Sequence, residues 1–286
     1  MRRETVVRLA GGLLLAISGV WVGIPQQPPP ADLSIEKIAE DLHVIIGSGG
    51  NVAVLTTEEG VILVDDKFER NVPQILEKVK SVSAKPIKYV LNTHQHGDHT
   101  GGNHALMTTM SVDTIAHQNA RANMAKGNQP GLPRVTFSDS AAVTLGGKEV
   151  RARYFGAGHT NGDAVIYFPA HKIAHFGDLF VRGTPFIDYT GGGSSDAWMK
   201  TIDAAMSLEF DTVIPGHGPV SKRADLASWK KDFETFRGRV RELTRQGKTR
   251  DEVANLVKVD DLPGWNLKGL IVKSLPGLYD ELSRGR

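Results

Sequence analysis

Apolar and polar positions along the chain fall into short strand-like runs separated by turns, with a few stretches of helical period. Apolar runs at Leu42–Ile46, 51–56 and Val61–Val64 alternate with turns at 47–50 and 58–60, which predicts antiparallel strands with tight connections. A helix follows with Asn71 as its cap and Ile75, Leu76 and Val79 on its apolar face. The buried strand Ile87–Leu91 then runs straight into Thr93-His94, and a strand at 114–116 with a helix at 119–126, ended by Gly127, repeats the strand-then-helix order. From 135 to 180 the pattern is mostly strand, at 150–155, Ala164–Phe168 and 172–176. A helix near 196–208 sets Trp198, Ile202, Ala205 and Met206 on one side. A strand at 212–214 ends in Pro215-Gly216-His217-Gly218. Beyond it Leu226, Trp229, Phe233, Phe236, Val240 and Leu243 recur at three- and four-residue steps, a strongly amphipathic helix. Strands mixed with helices in both halves predict an α/β chain with helices on both outer faces of a β-sandwich, one domain over residues 35–286.

The N-terminus follows a different pattern. Arg2, Arg3 and Arg8 precede a charge-free stretch at 9–24. As a helix that stretch reaches about 24 Å, short of the roughly 30 Å hydrocarbon core of a bilayer. It predicts a signal peptide followed by a proline-rich linker, together residues 1–30, and hence an exported, periplasmic or secreted protein. Membrane contact then arises only through an uncleaved N-terminal segment. Charge adds little: 34 Lys and Arg stand against 32 Asp and Glu, and the small excess lies in the leader. The cations of the long helix read as its solvated face, so no nucleic-acid partner is expected. The chain has no cysteine, which excludes disulfides, thiolate metal sites and cysteine nucleophiles together. Any transition metal must be held by histidine and carboxylate.

The informative segment is His94-Gln95-His96-Gly97-Asp98-His99-Thr100-Gly101-Gly102. In extended backbone, alternate residues share a side, so His94, His96 and Asp98 can converge. A turn eased by Gly97, Gly101 and Gly102 would bring His99 round to a neighbouring point. Imidazole suits zinc and iron, and a carboxylate beside it suits a borderline divalent ion. Gly158-His159-Thr160, Gly177-Asp178-Leu179-Phe180 and Gly216-His217-Gly218 each follow a predicted strand, with a glycine before the candidate ligand to let the backbone approach a metal. Each alone marks a turn as readily as a ligand. In this order, after the double-histidine segment, they predict a two-metal site. Of the other histidines, His43 and His117 read as edge residues, His171 as a turn residue and His175 as a packed core imidazole, with His104 left near the metal loop.

With these segments in this order, nearly all of the chain after the leader resembles the metallo-β-lactamase superfamily, whose signature is His-x-His-x-Asp-His. The resemblance implies a four-layer αββα sandwich with metals in a cleft at one edge. It implies that His94, His96 and His159 hold a first metal, that Asp98, His99 and His217 hold a second, and that Asp178 bridges them, with two zinc ions per chain and iron or manganese as alternatives. Asp65 falls where the family has a buried acid bracing the metal loop; a simple turn acid beside Asp66 is the competing reading. An aspartate at 178, where one β-lactamase subclass has cysteine and another has no bridging acid, is more similar to the glyoxalase II, lactonase and general hydrolase branches. The resemblance therefore implies a binuclear hydrolase that attacks a small carbonyl substrate (ester, lactone, thioester or lactam) with a metal-bridging hydroxide, Asp98 orienting the water and accepting its proton. Phe186 and Tyr189, in the glycine-rich loop 184–194 after Asp178, are candidate cleft walls, whereas Trp198 fits the core. Two alternatives accompany this reading: an exported β-lactamase, and a mononuclear-iron oxygenase similar to the persulfide dioxygenases, which would use the first-metal residues and the bridging acid. The partner expected in every case is a small-molecule substrate, and the sequence fixes no oligomeric state.

Overall fold

The structure, a computed structural model, describes residues 32–267 and 274–284. The expected signal peptide and linker at 1–30 lie outside the described residues.

Two sheets form the centre. In the first, β1 (Ser34–Lys37), β2 (Leu42–Ile46), β3 (Val52–Thr56) and β4 (Val61–Val64) pair antiparallel in chain order. Then β5 (Ile87–Leu91), β6 (Asp113–His117) and β7 (Val135–Phe137) join in parallel. Parallel pairing needs a crossover. The crossovers carry α1 (Val72–Val82), then α2 (Gly97–Thr100) with α3 (Asn103–Thr109), then α4 (Gln118–Lys126). In the second sheet β8 (Ser140–Leu145), β9 (Lys148–Tyr154), β10 (Ala164–Phe168) and β11 (Ile173–Val181) are antiparallel. After α5 (Ser195–Ala205) the chain returns as β12 (Thr212–His217), parallel to β11, and β13 (Ser221–Lys222) closes that edge. Helices α6 (Arg223–Arg245), α7 (Arg250–Leu256) and α8 (Leu275–Ser283) follow.

Strand period two sorts the side chains into layers. On β10, Ala164, Ile166 and Phe168 meet Val44, Leu55, Ile62 and Leu91 of the first sheet. Val165 and Tyr167 of the same strand face outward onto Trp198 of α5, Phe233 and Phe236 of α6 and Leu278 of α8. On the far side, Val54, Leu63 and Val90 pack against Ile75 and Val79 of α1. The result is the four-layer αββα sandwich. Burial on both faces is why these strands read as continuous apolar runs rather than as an alternation. Among the described residues no helix is long and apolar enough to cross a membrane.

Three elements differ from the sequence expectation. Strand β11 does not stop at Phe176 but continues through Gly177 and Asp178, with irregular register at 175/177 and 177/181. Gly177, at φ +50°, acts as a bulge rather than as a breaker. Strand β12 likewise runs through Pro215-Gly216 to His217. Asn71 makes no side-chain capping bond; a 3₁₀ turn, Glu69–Asn71, leads directly into α1.

The strand ends that face one another across this edge are tied together. Asn51 donates its backbone N–H to Gly216 O and its side-chain amide to Pro215 O and Gly218 O. Ala164 N–H donates to Thr93 O, across the two sheets. The opposite layer depends on aromatic packing: the fully buried Phe233 ring meets Trp198, Trp229 and Trp265 at centroid distances of 5.1, 5.5 and 6.0 Å. Phe233→Ala is expected to cost about 3–5 kcal/mol of stability through lost burial and the cavity left behind, read as a lowered urea midpoint with an unchanged denaturant slope.

Candidate metal centre

The candidate ligands come from the ends of β5, β9 and β12 and from the bulge within β11. His94 follows β5 and His96 stands at the head of α2, with extended backbone at φ −67° and ψ 143°. The chain turns helical at Gly97, so the every-other-residue alternation stops at His96. Asp98 therefore does not join His94 and His96 but sits with His99 in the first turn of α2. His159 comes from the loop after β9, Asp178 from the bulged β11 and His217 from the end of β12.

Two groups of side chains result, His94, His96, His159 and Asp178 in one and Asp98, His99 and His217 in the other. In the first, His94 Nε2 lies 3.2 Å from His96 Nδ1, which is 2.8 Å from His159 Nε2, and His159 Nε2 is 3.5 Å from Asp178 Oδ2. In the second, His99 Nε2 and His217 Nε2 are 3.3 Å apart, and Asp98 Oδ2 is 3.2 Å from His217 Nε2 and 3.7 Å from His99 Nε2. Asp178 Oδ1 lies 3.2 and 3.4 Å from the same two imidazoles. One carboxylate thus presents an oxygen to each group. Four ligands at 2.0–2.1 Å around a tetrahedral ion are separated by about 3.3 Å. The spacings match the edges of such tetrahedra, and the donor set of imidazole and carboxylate is one that zinc accepts, so the residues fit the implied ions.

For His94, His96, His99 and His159 the partner on the far side of the ring fixes which nitrogen faces inward. Thr93 donates its N–H and its hydroxyl to Asp65, each at 2.8 Å, which leaves the hydroxyl oxygen, 3.0 Å away, to accept from His94 Nδ1–H. His159 Nδ1–H donates to Phe186 O at 2.6 Å and His99 Nδ1–H to Asp65 Oδ2 at 2.7 Å. His96 is held the other way round: Nε2–H donates to Asp188 Oδ2 at 3.0 Å, turning Nδ1 inward. Such outer partners fix the tautomer and ring orientation of a metal-binding histidine. Burial holds His94 well below the usual imidazole range and His159 down to about 4, so both are neutral and their inward lone pairs are free. Burial would lower His99 and His217 too, but the Asp178 carboxylate overrides it, raising His99 strongly and His217 to about 9. Asp178, despite its burial, is pulled well below the carboxylate range by His217 and His99.

Several sequence expectations change here. Asp65 is fully buried at φ +63° and accepts from both Thr93 and His99, so it touches the metal loop directly, although it also occupies a left-handed turn position. Gly101 and Gly102 adopt ordinary helical φ values of −66° and −78°; they are small because a Cβ would strike Lys67 O and Glu69 N in one case and the Asp66 carboxyl in the other. Gly216, before His217, makes room for the Asp178 carboxylate rather than for a metal. Phe186 does line the cleft, a cavity of about 670 Å³ walled also by Phe68, Val181, Arg182 and Pro185 above His96, Asp98, Asp178 and His217. Tyr189 does not line it. Its ring lies against Gly277 and its hydroxyl donates to Glu281 of α8 at 2.8 Å, because the loop reverses after Asp188 and sends the next side chain outward. Trp198 and His175 are fully buried, His175 donating to Asn51 O and accepting from Gly177 N–H.

Sequence reasoning missed Asp188 and Arg182. Asp188 lies 92 residues from the histidine it holds, and locally it reads only as a turn former, accepting from Thr190 Oγ1 and Gly191 N–H. Arg182, just past the end of β11, lines the cleft and pairs with Asp225 at 3.3 Å.

Two outcomes follow from these contacts. Asp188→Ala should weaken binding at the first group about 10–100-fold, as loss of an outer partner typically does, measured by chelator competition. The second concerns Asp163, fully buried beneath the His159 loop, which accepts from Thr160 N–H and Oγ1–H at 2.8 and 2.5 Å, with burial pushing its carboxyl up to about 7. A carboxyl raised on folding disfavours the native state wherever it must ionise. Its contribution is therefore complete below about pH 4 and lost as pH rises to about 7. Asp163→Asn should flatten that decline in the metal-free protein, read from urea midpoints between pH 4 and 8.

The sequence and the fold both have known relatives. The family model described as "Metallo-beta-lactamase superfamily" matches residues 45–217. The chain is 30% identical over 182 residues to a metallo-beta-lactamase type 2 of Bacillus cereus, covering 60% of this chain and 68% of that one. It is 24% identical over 228 residues to the 2,4-dinitroanisole O-demethylase subunit alpha of a Nocardioides strain, covering 78% and 67%. Among solved structures, a metallo-beta-lactamase from Pontibacter korlensis superposes with a TM-score of 0.62 at 23% identity, over 68% of this chain and 95% of that one. The DIM-1 metallo-beta-lactamase does so with a TM-score of 0.64 at 23% identity, over 72% and 99%. By sequence and by fold, this chain belongs to the metallo-β-lactamase superfamily of metal-dependent hydrolases.

Proposed function

We propose that this chain is a binuclear zinc hydrolase that opens the acyl bond of a small carbonyl compound (ester, lactone, thioester or lactam) with water. The observation that carries the reading is Asp178, whose two oxygens face the two histidine groups at 3.2–3.5 Å, so that one carboxylate would serve an ion held by either group. His94, His96 and His159 would hold one ion, and Asp98, His99 and His217 the other. When bound, such ions polarise a substrate carbonyl and lower the pKa of water from 15.7 to about 7.

The chain's own residues supply the rest. The Asp98 carboxylate, held below its ordinary range by its contact with His217 even though burial opposes this, stays ionised across neutral pH. Its side chain borders the cleft, where it can orient the attacking water and accept its proton. The Asp65, Thr93, Phe186 and Asp188 contacts keep the four inner rings from rotating as charge shifts during the reaction. Phe68, Val181, Pro185 and Phe186 give the substrate an apolar wall and keep bulk water from the reacting bond. No serine or cysteine nucleophile is needed, in keeping with a chain that has no cysteine.

A lactam substrate is the specific second reading, favoured because relatives including those of Bacillus cereus and Bacteroides fragilis are metallo-beta-lactamases. Export fits either reading, and the leader at 1–30 is its sequence basis. The mononuclear-iron oxygenase reading uses none of Asp98, His99 and His217 and leaves their clustering without a purpose.

Metal analysis of purified protein should find about two zinc ions per chain; one iron with oxygen uptake would overturn the proposal. A panel of nitrocefin, an acyl-homoserine lactone, S-lactoylglutathione and bis-nitrophenyl phosphate separates the substrate classes, and hydrolysis of the phosphodiester alone would also count against a carbonyl substrate. Asp98→Ala should lower kcat by about 10²–10⁴ with an unchanged circular dichroism spectrum.

A further inference from the structure

The loop between β11 and α5 touches two of the three histidines of the first group from behind. Phe186 O accepts from His159 Nδ1 and Asp188 Oδ2 accepts from His96 Nε2. Asp188 N–H also donates to His159 O at 2.9 Å, and Ser194 N–H to Gly158 O at 3.0 Å. The orientation of His96 and His159 is therefore only as well defined as this loop. A glycine-rich run, Gly191-Gly192-Gly193, lies within it, and such a run has little conformational preference of its own.

Asn161 N–H and the Asn123 side-chain amide hold Gly191 O of this loop, and its stretch from Ile187 to the start of α5 is tied to Ser274 and α8. Ile187 N–H donates to Ser274 Oγ at 2.9 Å. Glu281 then gathers four donors: Tyr189 Oη at 2.8 Å and Ser195 N–H at 3.1 Å on one oxygen, Ser194 Oγ at 2.6 Å and Asp196 N–H at 3.3 Å on the other. Two of these are backbone groups in the first turn of α5, where an anion is favoured by the unpaired N–H groups and the helix dipole. A charged acceptor makes each bond stronger than a neutral one would. The Tyr189 ring closes the joint by packing on Gly277, where a side chain would overlap it. Helix α8 lies wholly outside the 45–217 segment matched by the family model, whereas all seven candidate ligands lie within it.

We propose that Glu281 is a positioning residue for the metal centre: acting through Tyr189 and Ser194, it fixes the 184–194 loop so that Phe186 O and Asp188 hold His159 and His96 in their metal-facing orientations. The chain from Glu281 to either imidazole passes through the loop backbone, so the carboxylate shapes the site without touching it. This rests on the assignment of His94, His96, His159 and Asp178 as a metal-binding group.

The test is a cobalt(II) titration of chelator-stripped full-length protein, following affinity by chelator competition and ligand geometry by the visible absorption band. Glu281→Ala should weaken binding about tenfold and shift the band. Glu281→Gln, which keeps one acceptor oxygen, should recover part of that loss, and Tyr189→Phe should show a smaller loss in the same direction. Val79→Ala, in the opposite helical layer, serves as the stability control. It should lower the melting temperature yet leave cobalt affinity and band unchanged. Unaltered cobalt binding in Glu281→Ala, or the same loss in Val79→Ala, would overturn the inference while leaving the metal centre standing. Failure of the unsubstituted protein to bind cobalt would remove both.

Discussion

The central constraint is the crowding of imidazole nitrogen and carboxylate oxygen atoms at one edge of the sandwich. His94, His96 and His159 bring their inner nitrogens within 2.8–3.2 Å of a neighbour, with His94 and His159 kept neutral by burial. Lone pairs at that separation repel unless a cation lies between them. Asp178 and Asp98 add negative charge, and in the metal-free protein the raised proton affinity of His99 and His217 compensates it. The site is therefore built for positive charge, and the rest of the edge is organised to keep the ligands from relaxing away from one another. Close backbone approach does much of this. Gly50 lies where any side chain would enter the His99 ring, and Gly216 where it would enter the Asp178 carboxylate.

Much of this was legible in the chain, for physical reasons that differ by element. Strands such as Val61–Val64 and Ala164–Phe168 stand out because burial on both faces demands unbroken apolar runs. Helix α6 stands out because only one of its faces is buried, which imposes a helical period. The ligands could be picked out because the Gly-His and Gly-Asp segments, each alone as readily a turn, follow the double-histidine segment in one order after successive strands. Their grouping could not be read from local spacing. That Asp98 sides with His99 depends on the backbone turning helical at Gly97, a choice set by contacts of α2 with the Asp66 and Lys67 turn, whose carbonyls and N–H groups bond to Gly101 and His99.

The outer contacts were illegible for another reason. Asp188 holds His96 across 92 positions and Glu281 holds its partners across 85–92, and each sits in a sequence context that signals a turn or an exposed helix face. Tyr189 illustrates the same limit. Its place after Asp178 in a glycine-rich loop suggested a cleft wall, yet successive loop residues point in opposite directions. Phe186 took the cleft, while Tyr189 took the joint with α8.

The turn after β4 shows how local strain is accommodated at such a site. Asp65 and Lys67 both adopt left-handed backbone, at φ +63° and +59°, which costs a side-chain-bearing residue roughly 1–2 kcal/mol each. Neither residue is there for a tight turn alone, since glycine would serve that purpose without strain. Asp65 needs its side chain because the carboxylate gathers Thr93 and His99. Lys67 is fully buried, donates its ammonium to Gly50 O at 2.6 Å and accepts Gly101 N–H on its own carbonyl, joining the 47–51 turn to the metal loop. Burial lowers its pKa to about 8, a further cost, partly offset by the nearby Asp65 and Asp98 carboxylates. An isolated four-residue turn could not bear these terms. Here they are outweighed by the apolar burial of β3, β4 and β5 on both faces, which fixes the strand ends and leaves the turn between them no relaxed alternative. Stability generated in the dry layers of the sandwich is thus what permits an unrelaxed, charge-dense edge to exist.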